Sequence, residues 1–259
     1  MVSRAFAMIY GALAYLVFLA AFLYAVGFVG DLIVPKSIDS DPGSPLSEAV
    51  AINLLLLGLF AVQHSLMARP WFKRRWTQLI PGELERSTYV LVASLILLLL
   101  FWQWRAMPQQ VWTVENSIAR PVIMAIFWFG WLTVLLSSFM IDHFDLFGLS
   151  QCYARFRGVA YKPPAFKTSG FYGYVRHPIM VGFIIAFWAA PVMSLGHLLF
   201  AIATTGYILL ALQLEERDLR TTHGDAYAQY QTQVSMLVPK GPPVTHRIRK
   251  MIARSFRSS

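Results

Sequence analysis

The chain has little charge and almost no cysteine. Asp, Glu, Lys and Arg make up 14% of its 259 residues, whereas a soluble globular domain has about 25%. Hydrophobic residues make up 57%, and the mean hydropathy is +0.53. This composition excludes a soluble globule and a disordered chain, and it predicts an integral membrane protein. The one cysteine, Cys152, excludes an internal disulfide and a cysteine-only metal site.

Several common site motifs are also missing. The sequence has no Gly-x-Gly-x-x-Gly, no phosphate-binding loop and no Gly-x-Ser-x-Gly turn for a nucleophile. His64, His143 and Asp142 offer metal-ligand chemistry, but no two histidines have the spacing that makes a metal site a strong prediction. We therefore predict no metal. The chain has 22 Lys and Arg but only 13 Asp and Glu. Basic residues in cytoplasmic loops explain this excess better than nucleic-acid binding does.

Long uncharged stretches divide the chain. Four of them are long enough to cross a bilayer, which takes about 20 residues, and they are residues 5–29, 49–67, 88–104 and 122–141. Two further apolar segments, 179–193 and 195–214, have almost nothing between them. They predict a tight helical hairpin, whose first arm is short and holds Pro191. We expect an all-α integral membrane protein with four full spans plus this C-terminal helical hairpin.

The basic residues predict how the chain is oriented. All of the 22 Lys and Arg except Lys36, Arg105 and Arg120 lie in alternate loops or in the terminal segments. Basic loops stay in the cytoplasm, so both termini should be cytoplasmic. We expect one transmembrane domain over residues 1–259. It has a four-span bundle (1–141), a cytoplasmic re-entrant or loop segment (142–178), and the hairpin with a cytoplasmic tail (179–259).

Ionisable side chains gather at the predicted cytoplasmic ends of the spans. Such groups are costly at a membrane, so each is a candidate for function. They are His64, Asp142, His143, Asp145, Arg176, His177, Glu215, Glu216 and Asp218. For any single one, a plain structural role stays open: His64 could bond a neighbouring helix, and Asp142 a loop arginine. Their convergence on one membrane face predicts a functional site there.

Two C-terminal motifs resemble a known pattern. Arg176-His177-Pro178 is followed by Gly182, and Glu215-Glu216 is followed by Tyr227 and Tyr230. This arrangement resembles the C-terminal region of the isoprenylcysteine and phospholipid methyltransferases. Met180 stands where that family usually has Tyr, and His223 where it has Phe. The resemblance covers about seventy residues and includes a hairpin of the expected length between the two motifs.

Motifs nearer the N-terminus indicate a more specific group of related proteins. Gln63-His64-Ser65, Glu85-Arg86-Ser87 and the block from Asp142 to Gln151 are similar to the bacterial membrane-bound methanethiol S-methyltransferases and to the NnrU-like membrane proteins. The resemblance implies a multi-pass protein of the bacterial inner membrane. It implies that S-adenosylmethionine (SAM) is bound from the cytoplasm and that a small thiol, methanethiol, is methylated to dimethyl sulfide. The other expected partner is the lipid bilayer.

The resemblance also implies roles for individual residues. The expected SAM-binding residues are Arg176, His177, Pro178, Glu215, Glu216, Tyr227 and Tyr230. A glutamate would accept from the amine or ribose of SAM, Arg176 and His177 would donate to its carboxylate, and the tyrosines would close over the adenine or anchor the chain at the interface. For the general base we expect His143 or His64, oriented by Asp142 or Asp145.

Other functions stay open at this point. The same fold could methylate an isoprenylcysteine or a lipid headgroup. Membrane reductases that use NADPH carry a similar C-terminal pattern. A fourth possibility is an NnrU-like membrane protein without enzymatic activity. A transporter is less favoured, because it should show repeats and polar groups near the membrane midplane.

Overall fold

The computed structural model describes residues 3–40 and 43–241, so the end of the predicted tail, 242–259, lies outside the described residues. The described chain is mostly helical. Its helices are α1 (Arg4–Gly30), α2 (Leu46–Ala68), α3 (Pro70–Trp76), α4 (Gly82–Gln103), α5 (Ala119–Ile141), α6 (His143–Leu146), α7 (Leu149–Arg157), α8 (Pro178–Trp188) and α9 (Leu195–Gln233). The described chain also has two short strands, β1 (Gln110–Thr113) and β2 (Val192–Ser194), and a 3₁₀ turn (Gly170–Gly173).

Within residues 3–40 and 43–241, five helices are long and apolar enough to cross a membrane: α1, α2, α4, α5 and α9. The first four cover the four predicted spans, except that α4 ends at Gln103, one residue before the predicted end of the third span. Helix α9 carries the second arm of the predicted hairpin. The first arm is short, as predicted: α8 has 11 residues and is about 16 Å long at 1.5 Å per residue. The hydrocarbon core of a bilayer is about 30 Å thick.

The two strands were not predicted, because an all-α chain was expected. They pair antiparallel, with Trp112 opposite Met193 and Thr113 opposite Val192. The ribbon lies where the hairpin turn was expected. Pro191 disfavours the helical conformation in the residue before it, and α8 ends at Trp188. Ser194 then begins the next helix, since its Oγ accepts a hydrogen bond from the backbone N–H of His197 at 3.0 Å.

The chain forms two compact units. Unit 1 contains residues 1–116, 144–162 and 190–204, and unit 2 contains residues 117–143, 163–189 and the chain from Thr205 onward. The predicted division of the sequence into three segments of one transmembrane domain stays a prediction.

In unit 1, the short helix α7 packs against α1 and α4. Two glycines allow this approach. A Cβ on Gly11 would lie 2.7 Å from Cys152 Sγ. Gly148 has a φ of +88°, and a Cβ there would lie 2.5 Å from the backbone nitrogen of Ser87. Ser87 Oγ also donates to the Gly148 carbonyl at 3.0 Å, so the start of α7 is held on the second turn of α4.

In unit 2, α5 and α8 are in close backbone contact. A Cβ on Gly182 would lie 2.7 Å from the Gly130 carbonyl oxygen, and one on Gly130 would lie 2.6 Å from the Ala186 nitrogen. Small residues allow membrane helices to approach in this way. The Trp131 ring packs edge-on against Phe183, with ring centroids 5.8 Å apart. This packing holds α8 in place, and with it the motif that begins α8.

Candidate functional site

The two C-terminal motifs are joined by a buried ion pair in unit 2. Arg176 and Glu216 are 40 residues apart in sequence. Arg176 Nε donates to Glu216 Oε1 at 2.7 Å, and Nη2 donates to Oε2 at 2.8 Å. The two side chains are only 10% and 12% exposed. A two-point contact of this kind is both strong and directional, so it fixes the loop before α8 against α9.

Glu216 has further partners on both motifs. His177 Nε2 lies 2.9 Å from Glu216 Oε1. The Tyr227 hydroxyl donates to Oε1 at 3.0 Å, and Gln231 Nε2 donates to Oε2 at 2.6 Å. Every one of these donors belongs to the protein itself. Glu216 is therefore the point where the loop before α8 and both halves of α9 meet.

Glu215 has a different environment from its neighbour. Its side chain is 48% exposed, and its Oε2 lies 3.9 Å from His177 Nδ1. The His177 side chain is 8% exposed and lies between the two carboxylates. Of the two glutamates in the motif, Glu215 is the one whose carboxylate has room for another molecule.

The two predicted tyrosines are buried. Tyr227 and Tyr230 are each 1% exposed, and they form one cluster with Val234, against which Phe166 packs. Their ring centroids are 5.9 Å apart. The Tyr230 hydroxyl donates to the Tyr172 carbonyl at 2.6 Å. Both rings are therefore held inside unit 2 rather than exposed at its surface, where an interfacial anchor would lie.

A break in α9 lets its last part fold back onto the Arg-His motif. Gly224, with φ +54° and ψ −133°, interrupts the helix. After the helix ends, the backbone N–H of Arg176 donates to the Ser235 carbonyl at 2.8 Å, and Val175 forms an isolated parallel bridge with Ser235. Neither Gly224 nor Gln231 was among the site residues predicted from the sequence. Gln231 was recognisable, because it lies four residues after Tyr227 and so shares its helix face.

His143 lies just beyond the end of α5 in unit 2. Its side chain is buried, its Nδ1 is 2.8 Å from Ser138 Oγ, and its ring stacks on Phe139 with centroids 4.2 Å apart. Burial lowers the pKa of His143 below its ordinary value, and the charge of Asp142 partly opposes this. The imidazole is therefore neutral at neutral pH, as a general base must be.

Tyr172 connects the end of α5 with the motif cluster. Its hydroxyl donates to the Ser137 carbonyl at 3.4 Å, and its own carbonyl accepts from Tyr230. Phe171, beside it, donates its N–H to Met140 Sδ at 3.4 Å. Burial raises the pKa of the Tyr172 hydroxyl, so it remains a donor. Ser137 adjoins Ser138, which contacts His143, so unit 2 brings His143 and the two C-terminal motifs into one connected structure.

Two of the predicted site residues, His64 and Asp145, are in unit 1. The Tyr89 hydroxyl lies 2.8 Å from His64 Nε2 and 3.0 Å from Nδ1. Asp145 Oδ1 accepts from the Tyr161 hydroxyl at 2.5 Å and from Gln151 Nε2 at 3.2 Å. Among the described residues, no group of three or more His, Cys, Asp or Glu is arranged to hold a metal ion.

Comparison with known proteins places these features in a family. The model of the NnrU protein family matches residues 53–235. Methanethiol S-methyltransferase of Mycobacterium tuberculosis is 57% identical over 92% of this chain and 97% of its own. Methanethiol S-methyltransferase 2 of Bradyrhizobium diazoefficiens is 52% identical over 93% and 92%. Nurim of Rattus norvegicus is 32% identical over 66% and 68%. No solved structure matches. The chain therefore belongs to the NnrU protein family and to the family of these methanethiol S-methyltransferases.

Proposed function

We propose that this protein is a membrane enzyme that methylates methanethiol to dimethyl sulfide with SAM as the methyl donor. The observation that carries the proposal is the buried pair of Arg176 and Glu216, because it unites two motifs that are 40 residues apart in sequence. The names and the identities of 52–57% of the bacterial relatives support the reaction and the acceptor.

The residues of unit 2 suit the polar groups of SAM. SAM has an amine, a carboxylate, a ribose diol and an adenine, and it supplies an electrophilic methyl group. We assign contact with the amine or the ribose to Glu215, which is half exposed. His177, between the two carboxylates, orients Glu215 or donates to the ligand. Pro178 begins α8 directly after it.

We assign positioning roles to Arg176 and Glu216. The sequence alone favoured direct contacts from both to SAM. In the structure, two guanidinium nitrogens of Arg176 donate to Glu216, and the third donates to the Val234 and Gln231 carbonyls. Tyr227 and Tyr230 are buried behind the same network. These four side chains hold Glu215 and His177 in the positions from which they contact SAM.

Methyl transfer also needs a reactive sulfur. The thiolate, not the thiol, is the nucleophile, so a neutral imidazole should accept the proton of methanethiol. The candidates are His143, with Asp142 beside it, and His64. Asp145 is assigned to the loop contact with Tyr161 rather than to either imidazole, because its carboxylate accepts from that hydroxyl at 2.5 Å.

We further propose that the protein is a multi-pass protein of the bacterial inner membrane, with both termini in the cytoplasm. The five long apolar helices and the bacterial relatives support the membrane location. The placement of all basic residues except Lys36, Arg105 and Arg120 in alternate segments supports the orientation.

Product analysis tests the reaction. Detergent-purified protein is incubated with SAM and, separately, methanethiol, longer alkyl thiols and a prenylcysteine, and volatile and organic products are identified. We expect dimethyl sulfide from methanethiol and little product from the prenylcysteine. If the prenylcysteine is methylated and methanethiol is not, the acceptor is a prenylcysteine and the proposed acceptor is wrong. Thermal protection by NADPH but not by SAM would instead indicate a reductase.

A further inference from the structure

A second group of polar side chains lies within an aromatic cluster of unit 1. Met67, Tyr89 and Val90 are buried together, and the side chains packed against them include Phe18, Phe72, Trp76 and Phe147. They come from α1, α2, α3, α4 and the segment before α7. The cluster therefore has apolar walls on several sides, and the positively charged Arg86 lies at its edge.

Tyr89 connects this cluster with His64. It packs with Met67 and its hydroxyl is within hydrogen-bond distance of the His64 imidazole. Phe60 stacks on the same imidazole, with centroids 5.1 Å apart. The Arg86 guanidinium lies 5.1 Å from the centre of the Tyr89 ring, and its Nε donates to the Leu146 carbonyl at 2.7 Å. A base and a fixed positive charge are thus both in contact with Tyr89.

Two buried polar atoms around the same cluster have no hydrogen-bond partner within the described ranges: Gln63 Oε1 and Trp76 Nε1. One is an acceptor and the other a donor. Gln63 Nε2 donates to Met67 Sδ at 3.0 Å, which holds the Gln63 side chain against the cluster. Buried polar atoms in folded proteins almost always have a partner. An acceptor and a donor that both lack one fit a ligand that offers a weak donor and a weak acceptor.

We propose that this cluster binds the acceptor thiol; the inference rests on the proposed function. The S–H group donates to Gln63 Oε1, and the sulfur accepts from Trp76 Nε1–H. The methyl group lies against Met67 and Phe72, where a polar acceptor would be unfavourable. A thiol of two heavy atoms needs little space, so aromatic walls select for small alkyl thiols.

The same arrangement accounts for activation of the thiol. For proton transfer the S–H group turns from Gln63 Oε1 to the His64 imidazole: the S–H bond breaks, the proton forms a new N–H bond on His64, and the sulfur keeps the electron pair as a thiolate. The positive charge of Arg86 favours the thiolate over the thiol. Tyr89 holds the imidazole through its hydroxyl and is a positioning residue. Of the two candidate bases, this assigns the proton transfer to His64.

Trp76→Phe and Gln63→Leu test the binding site, because each removes one unpartnered polar atom and keeps most of the side chain. Trp71→Phe is the matched control, since Trp71 is on the same short helix and is 48% exposed. We expect the KM for methanethiol to rise about tenfold in each test variant, the equivalent of 1.4 kcal/mol. The KM for SAM should stay unchanged, and the control should equal the wild type.

Saturation-transfer NMR with methanethiol alone, without SAM, separates this inference from the proposed function. We expect a signal from the methyl protons in the wild type and in Trp71→Phe, and a much weaker one in both test variants. Equal signals in all four proteins overturn the inference even if methanethiol is methylated. If the two test variants melt at the same temperature as Trp71→Phe, unfolding is excluded as the cause of their weaker signals. If Trp76→Phe does not fold, the signal of Gln63→Leu decides whether the cluster binds methanethiol.

Discussion

Glu215 and Glu216 are adjacent in sequence but occupy opposite environments. Glu216 is 12% exposed and accepts hydrogen bonds from Arg176, Tyr227 and Gln231, whereas Glu215 is 48% exposed. Neighbouring residues on a helix point about 100° apart, so one carboxylate faces the folded-back tail and the other faces away from it. In the proposed function, Glu216 therefore has a structural role and Glu215 contacts SAM.

Substituting each glutamate should therefore have a different effect. Glu216→Gln leaves the guanidinium of Arg176 buried without its counter-charge, and breaking a buried pair costs about 3–5 kcal/mol. We expect a clear fall in melting temperature. Glu215→Gln should melt like the wild type but bind SAM about tenfold or more weakly, since a charge-assisted contact contributes roughly 1.5–3 kcal/mol. Thermal unfolding and calorimetry measure both. The reverse pattern would exchange the two roles.

Gly224 should not tolerate a side chain. Its φ of +54° and ψ of −133° are accessible to glycine, and other residues pay about 1–3 kcal/mol there. We expect Gly224→Ala to lower the melting temperature and weaken SAM binding, because the residues after the break carry Tyr227, Tyr230 and Gln231.

Gly206→Ala is the matched control for this substitution. Gly206 is in the regular part of the same helix, and no atom of the described residues lies within 4 Å of the position that a Cβ would take there. Alanine should stabilise this helix by about 0.5–1 kcal/mol. If both alanine variants behave alike, the break at Gly224 is not needed for the site.

His143 should make the protein less stable in acid. Burial lowers its pKa in the folded state, so below its ordinary value of about 6.5 the unfolded chain binds more protons than the folded one. This contribution to stability is present above that pH and is lost as the pH falls. We expect the melting temperature to drop between pH 7.5 and pH 5, and to drop less in His143→Gln. Parallel curves for the two proteins would exclude His143 as a cause.

Reporter fusions should show the orientation in the membrane. The basic residues predict that a reporter after Ser40 is outside the cytoplasm and that one at the C-terminus is inside. A reporter after Leu79, which is 78% exposed between α3 and α4, should agree with the C-terminal one. Signals from the same side at Ser40 and at the C-terminus would contradict the proposed topology.

The sequence alone predicted the features that depend on local composition. Uncharged stretches indicated the helices α1, α2, α4 and α5, because backbone and side chains must both suit a bilayer over about 20 residues. The shortness of the first apolar segment of the hairpin, which holds Pro191, indicated a helix shorter than the other spans, and α8 has 11 residues. The two C-terminal motifs were recognisable as a pair, since the residue types that bind charged groups recur there in a familiar order.

Only the tertiary structure decided which of those residues contact one another. Composition cannot separate Glu215 from Glu216, because the difference arises from Arg176 and from the tail of α9 that Gly224 turns back. It did not indicate that β1 and β2 pair, since about 80 residues separate them and short strands form only when a partner is present. Nor did it show that Tyr89, rather than an aspartate, is within hydrogen-bond distance of His64. Contacts between residues far apart in sequence depend on how whole helices pack against one another. The formation of a helix depends on interactions between residues three or four positions apart.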